Sequence, residues 1–383
     1  MQANTIPFAR CAAVSLSLVC CAGAWSQGKP QEAPWRFAVS GDSRNCGDVV
    51  MPAIARNVLK HKVEFYWHLG DFRKMSDIDD DMAIRYGNEL SIDDYDRDAW
   101  GDFIANQIVP FGALPVYLGI GNHELYGGKT KNDYVSQFAY WIDTPELRRQ
   151  RGTDSVQGDS LTYSHWQKGH VDFVTLDNAD EEGFSPAQLQ WLEGVLQKDE
   201  GDADIQTIVV GMHRALPNSF ACGHSMNGDT NTPPDIAAKS LGSGRRAYQD
   251  LLDWKRQTHK HVYVVASHSH FFMERIFETP YWVNPEMKDR GVLPGWIVGT
   301  AGAQRYGLPE GIPKDIHTEA LVSGYLLGTV ASNGEIQFVF QRVVRSEVPK
   351  SVHNQFDDKF IDFCFADNNS PAVHPAPASC SEP

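Results

Sequence analysis

The stretch LPVYLGIGNHE, Leu114 to Glu124, sets an apolar run against a polar cluster: Leu114 to Ile120 reads as a buried strand, and Gly121-Asn122-His123-Glu124 follow at its carboxyl end. The same pairing recurs along the chain. Trp35 to Val39 leads to Gly41-Asp42, Val63 to Leu69 to Gly70-Asp71, Ile205 to Val210 to Gly211-Met212-His213, and Val262 to Ala266 to Ser267-His268-Ser269-His270. Val171 to Leu176 reads as one more strand. Helical patterns stand between these runs at Val49 to Leu59, Tyr95 to Ile108 and Pro186 to Leu196, the last with Ser185 as N-cap and Pro186 at its first position. Alternation of strand and helix predicts an α/β fold. In open α/β sheets ligands bind outside the carboxyl ends of strands, so polar clusters at five such ends point to one shared site.

The residue types say what that site holds. Carboxylate, amide and imidazole together suit borderline divalent or trivalent ions, and one aspartate, here Asp71, can bridge two of them. A shared carboxylate offsets cation repulsion at the spacing of about 3.5 to 4 Å found in two-metal hydrolases. His268 and His270 are two apart and would diverge on a strand, so the segment that carries them has to be a loop that splays the rings. Any one of these residues alone would read as an ordinary turn aspartate or structural histidine. The combination points to a hydrolytic metal centre.

Order and residue types resemble the calcineurin-like metallophosphoesterases, whose motifs run G-D-x-H, G-D, G-N-H-[DE], G-H and G-H-x-H. The match covers roughly residues 36 to 273 and fails at two positions. The resemblance implies a four-layer sandwich, two mixed β-sheets packed face to face and flanked by helices. It implies a first metal on Asp42, Asp71 and His270 and a second on Asp71, Asn122, His213 and His268, the ions being manganese, iron or zinc. It places His123 beside the leaving-group oxygen, as a source of charge or a proton, with Glu124 orienting its neighbours and a hydroxide formed at the metals as nucleophile.

Both departures bear on the first metal and its loop. Arg44 stands where many members have a metal-binding histidine, and a guanidinium has no lone pair to give. Two roles are open to it: a fork on substrate phosphate oxygens, which would make it catalytic, or an ion pair with the acidic surroundings. Asn45 or His224 is then the candidate for the vacated position. Ser267 replaces a glycine and is sterically mild. Purple acid phosphatases, a branch of the family, carry an iron-binding tyrosine three residues after the second aspartate. Lys74 holds that position, so no iron-tyrosinate colour is expected, although Gly211-Met212-His213 followed by Pro217-Asn218-Ser219 resembles the same branch.

Composition bounds the rest. A chain of 383 residues, 42% hydrophobic, holds one large core or two modest ones, and one catalytic domain over residues 25–348 with a tail over 349–383 is expected. Residues 1–24 carry Arg10 as their single charge, an apolar run from Cys11 to Cys21 and Ala22-Gly23-Ala24, the pattern of a cleaved signal peptide, too short to serve as a stable membrane anchor. A secreted or periplasmic location follows. Its removal takes the formal charge from -15 to -16, and no lysine or arginine stripe offers a surface for nucleic acid. Cys46, Cys222, Cys364 and Cys380 remain; Cys364 with Cys380 and Cys46 with Cys222 are the pairings considered, and spacing fixes neither.

Elsewhere, Val322 to Val330 and Glu335 to Val343 read as a hairpin turning at Ser332-Asn333-Gly334. The acid-rich stretch Asp77 to Asp98 reads as a solvated loop, and residues 218–245 as a long loop bordering the cleft. Arg73, Arg214, Tyr126 and Trp141 read as scaffold, and His61, His68, His165, His170, His259 and His261 as structural. The expected protein is an exported metal-dependent phosphoesterase acting on small phosphorylated substrates. A phosphodiesterase on cyclic nucleotides or glycerophosphodiesters is the alternative within the chemistry. A scaffold that kept the fold without turnover is the alternative outside it, and Arg44 is the feature that favours it. Oligomeric state is left open.

Overall fold

The computed structural model describes residues 33–229, 231–283 and 291–370. The expected signal segment, residues 1–24, and Cys380 lie outside them. Among the described residues, β1 (Trp35–Ser40), β2 (Tyr66–His68), β3 (Val116–Leu118), β11 (Gly324–Val330) and β12 (Ile336–Arg342) form a five-stranded sheet in the order β12-β11-β1-β2-β3. A seven-stranded sheet holds β4 (Ser164–Lys168), β5 (Val171–Thr175), β6 (Thr207–Met212), β7 (His261–Ala266), β8 (Phe272–Glu274), β9 (Gly295–Val298) and β10 (Thr318–Glu319), in the order β10-β8-β9-β7-β6-β5-β4. Both sheets are mixed. β1, β2 and β3 run parallel, as do β5, β6, β7 and β9, while β11 and β12 and the outer strands β4, β8 and β10 pair antiparallel.

The strand period of two sorts side chains between layers. Phe37 and Val39 of β1 join Trp67, Trp166, Phe173, Val209 and Val265 between the sheets, while Ala38 turns outward to the helices. Outside the first sheet pack α1 (Gly47–Lys60), α2 (Asp80–Tyr86), α3 (Ile92–Phe103) and α4 (Lys131–Ile142); α5 (Pro145–Arg151) lies against β4. Outside the second sheet pack α6 (Pro186–Gly201) and α7 (Pro234–Thr258), their buried Leu192, Val195, Tyr248 and Leu251 sharing one core with β6 and β7. This is the four-layer sandwich expected. Ser185 caps α6 by accepting from the Gln188 amide.

Four expectations need correction. The acid-rich stretch is not a solvated loop: it forms α2 and α3, and Asp79 and Asp81 are buried. Their burial is possible because Arg73, itself fully buried, lies 2.8 Å from Asp81, 2.5 Å from Asp48 and 2.5 Å from Asp102. Residues 218–245 are a loop only in part, because α7 begins at Pro234. The chain after Pro349 is not only a polar tail; α8 (Lys350–His353) and α9 (Asp358–Ala366) bury Val352, Phe360 and Ile361 in the core outside the first sheet. Neither proposed cysteine pairing holds, because Cys46 is bonded to Cys364 across a Cα–Cα distance of 5.7 Å and so takes one cysteine from each.

Candidate metal centre

β1, β2, β3, β6 and β7 all end at one edge of the sandwich, and the loops that leave them carry Asp42, Asp71, Asn122, His213 and His268. Two glycines let these loops touch. Gly70, at φ +95°, lies where a Cβ would overlap the backbone of Gly121, and a Cβ on Gly121 would overlap the Asp71 carboxylate. Asp42, Asp71 and His268 themselves sit in the left-handed region at φ 61°, 60° and 64°. Such strain, about 1 kcal/mol or more per residue, gathers where the surrounding structure over-determines a site. Glu124 supplies part of that determination: Oε2 accepts from the amides of Asp71 and Gly121 and Oε1 from Phe72, each at 2.8 Å. One buried carboxylate thereby fixes the second and third loops to each other.

On one side of Asp71 four acceptor atoms converge. His213 Nε2 lies 3.3 Å from Asp71 Oδ1, 2.9 Å from Asn122 Oδ1 and 3.0 Å from His268 Nδ1. His213 Nδ1 sits 3.0 Å from the Leu69 carbonyl, which only accepts, so the ring proton belongs there and Nε2 keeps its lone pair. Asn122 Nδ2 donates to the Tyr126 hydroxyl at 3.1 Å, which turns Oδ1 inward. Ligand atoms of Asp71, His213 and His268 all lie within 4.8 Å of one another. Mixed oxygen and nitrogen donors gathered this closely suit a divalent transition ion. Burial raises the Asp71 carboxyl, but His213 and His123 in their protonated forms, together with Arg44, outweigh it and hold the group well below the usual carboxylate range; in return Asp71, against burial, raises His213. His268 is held well below the usual imidazole range by burial and by the neighbouring His213 and His224.

On the other side of Asp71 lies Arg44. Its Nε is 3.7 Å from Asp71 Oδ2, one terminal nitrogen donates to His270 Nε2 at 2.8 Å, and the other donates to His123 Nε2. Both rings are set up as acceptors, because His270 Nδ1 donates to the Gln304 carbonyl at 2.6 Å and His123 Nδ1 to the Lys74 carbonyl. Asp42 Oδ1 lies 3.1 Å from His270 Nε2, and its Oδ2 accepts the His268 amide at 2.7 Å. Burial and then Arg44 push the pKa of His123 down to about 4.

All eight residues singled out from the sequence, Asp42, Arg44, Asp71, Asn122, His123, His213, His268 and His270, thus meet at one strand edge. Asn45 does not fill the vacated position: its amide donates to Asp80. His224 stands beside His268 instead, ring centroids 5.3 Å apart. Arg73 is scaffold, and buried Arg214 donates to the carbonyls of Asn178, Ala179 and Asp180. Sequence reasoning missed Tyr306, whose ring stacks on His270 at 4.1 Å, because it belongs to an irregular segment with no motif or period. Lys74, at the position of the absent tyrosine, donates to the Ile78 carbonyl at 3.1 Å.

No family model matches the chain, and no curated protein sequence does. Solved structures do. The purple acid phosphatase PPD1 from yellow lupin (Lupinus luteus) seeds aligns over 91% of this chain with a TM-score of 0.52 at 15% identity, and this chain spans only 58% of that protein's length. PhoD aligns over 82% of this chain and 69% of its own, with a TM-score of 0.50 at 14% identity. At such identities the likeness is one of fold: this chain is built on the two-sheet phosphoesterase sandwich that those proteins share.

Proposed function

We propose that the chain is an exported, metal-dependent phosphoesterase that hydrolyses small phosphate esters. The observation that carries this reading is the convergence of Asp71, Asn122, His213 and His268 acceptor atoms at the carboxyl edge of the sandwich, held there by strained, glycine-spaced loops. These four residues would hold a divalent ion. When bound, it supplies Lewis acidity to a phosphoryl oxygen and lowers the pKa of water there. Arg44 puts permanent positive charge beside the same place, where negative charge on a phosphoryl group grows in the transition state. His123, neutral near pH 7 and proton-bearing at Nδ1 against Lys74, accepts from Arg44 and fixes the direction of the guanidinium. That favours positioning over proton donation for His123. The Cys46–Cys364 disulfide supports an oxidising compartment, in keeping with the leader read in residues 1–24.

The test is hydrolysis of a chromogenic phosphomonoester and its diester counterpart by protein stripped of metal and reloaded separately with manganese, zinc or iron. Turnover that returns with metal and falls by about 100-fold or more in His213→Ala is expected. A diester preference would move the substrate to the cyclic-nucleotide or glycerophosphodiester class. Full activity in chelated protein would overturn the metal dependence, and no activity with any metal would overturn the reading in favour of a scaffold.

A further inference from the structure

We propose that the centre takes a single metal ion per chain and that the guanidinium of Arg44 stands in the place of a second. The inference rests on the reading of Asp71, Asn122, His213 and His268 as the metal pocket.

The two oxygens of Asp71 have different surroundings. Oδ1 points into the pocket where His213 Nε2 lies 3.3 Å away, and no side chain supplies a positive charge among the atoms gathered there except by taking up a proton. Oδ2 faces Arg44 Nε at 3.7 Å and takes no hydrogen bond, so its partner is the guanidinium's charge. Asp42 and His270 would complete a second donor set with this oxygen, yet they do not enclose a free space. His270 Nε2, the lone-pair nitrogen such a set would need, receives a hydrogen bond from Arg44 at 2.8 Å. The other terminal nitrogen of Arg44 is anchored on His123. A metal at this position would have to displace a side chain held from three directions and sit beside a charge of its own sign. The donor set of Asp42, Asp71 and His270 therefore does not fit an ion in this chain, whereas the set on the far side of Asp71 does.

A guanidinium in that position does part of what an ion would do. It compensates the buried carboxylates of Asp42 and Asp71 with a fixed positive charge that no chelator removes. It cannot bind water as a Lewis acid, so that chemistry falls to the one ion.

Metal content and spectroscopy decide the matter without reference to turnover. The stripped protein is titrated with manganese(II), unbound ion is removed, and bound manganese per chain is measured together with the electron paramagnetic resonance spectrum. One ion per chain with the hyperfine pattern of an isolated manganese is expected. His213→Ala should abolish binding. Arg44→His should bind a second ion and show an exchange-coupled spectrum; a thermal melt of each variant before loading establishes that it is folded. Two coupled ions in the unaltered protein would overturn the inference while leaving a metallophosphoesterase standing. Arg44→His still limited to one ion would overturn the role given to Arg44. No binding at all would overturn this inference and the proposed function together.

Discussion

Glu124 shows how much of the centre depends on a residue that touches neither ion nor substrate. Its two oxygens accept three backbone amides from two loops, so Glu124→Gln replaces an acceptor with an NH2 group that faces amide donors. We expect the variant to lose about 2–3 kcal/mol of stability in urea unfolding and to bind manganese at least roughly tenfold more weakly, because Asp71 and Asn122 lose their common anchor. An unchanged manganese affinity would mean that the glycine contacts alone hold the loops. At this scale the sequence was informative about which residues meet. Each proposed ligand follows the end of a strand within four positions, so the fold itself delivers it to the edge. The direction of Arg44 was not legible. A cation next to a metal motif can turn outward to substrate or inward to the carboxylates, and only the placement of Asp71 Oδ2, His123 and His270 around it decides.

Among the elements, the buried parallel strands β1, β2, β3, β5, β6 and β7 were legible because both faces are covered and their runs are continuously apolar, whereas parallel β9, four residues with the sequence GWIV, was missed. Edge strand β4, with the sequence SHWQK, alternates too briefly to stand out, and β8 and β10 are shorter still. The acid-rich segment misled for a different reason. Clustered aspartates ordinarily repel one another and stay in water, and nothing in the local sequence shows that Arg73 will lie among them. Its guanidinium meets Asp48, Asp81 and Asp102, and Arg85 adds a second cation to Asp48 and Asp102. Arg73→Met should therefore leave buried carboxylates uncompensated and destabilise the protein by about 3–5 kcal/mol in urea unfolding. Hydrogen exchange should localise the damage to α2 and α3. A loss below about 1 kcal/mol would show that Arg85 suffices alone.

For the whole molecule, stability should depend on pH through His165 on β4. The ring is buried between Asp172 Oδ2 at 2.6 Å and Asp154 Oδ1 at 2.8 Å. Burial opposes its charge, but the two carboxylates outweigh burial and push its pKa up to about 9 from an ordinary 6.5. A pKa raised on folding adds stability that is complete below pH 6.5 and is lost as pH rises through about 9. The contribution is on the order of 3 kcal/mol at most, at about 1.4 kcal/mol per unit. The melting temperature should fall between those limits, and His165→Gln should flatten the fall. An equal slope in the variant would assign the dependence to other groups.

The placing of β1 has a consequence for how the polypeptide comes into being. β1 lies between β2 and β11, and Cys46 just beyond it is bonded to a partner 318 residues further on. Synthesis delivers residues in order, so the earliest strand waits for almost the last before its sheet can close. Until then β1 is paired on one side alone and the disulfide that ties the chain's two ends is open. If the chain is exported as proposed, that delay keeps it passable through a narrow channel until its far end has arrived.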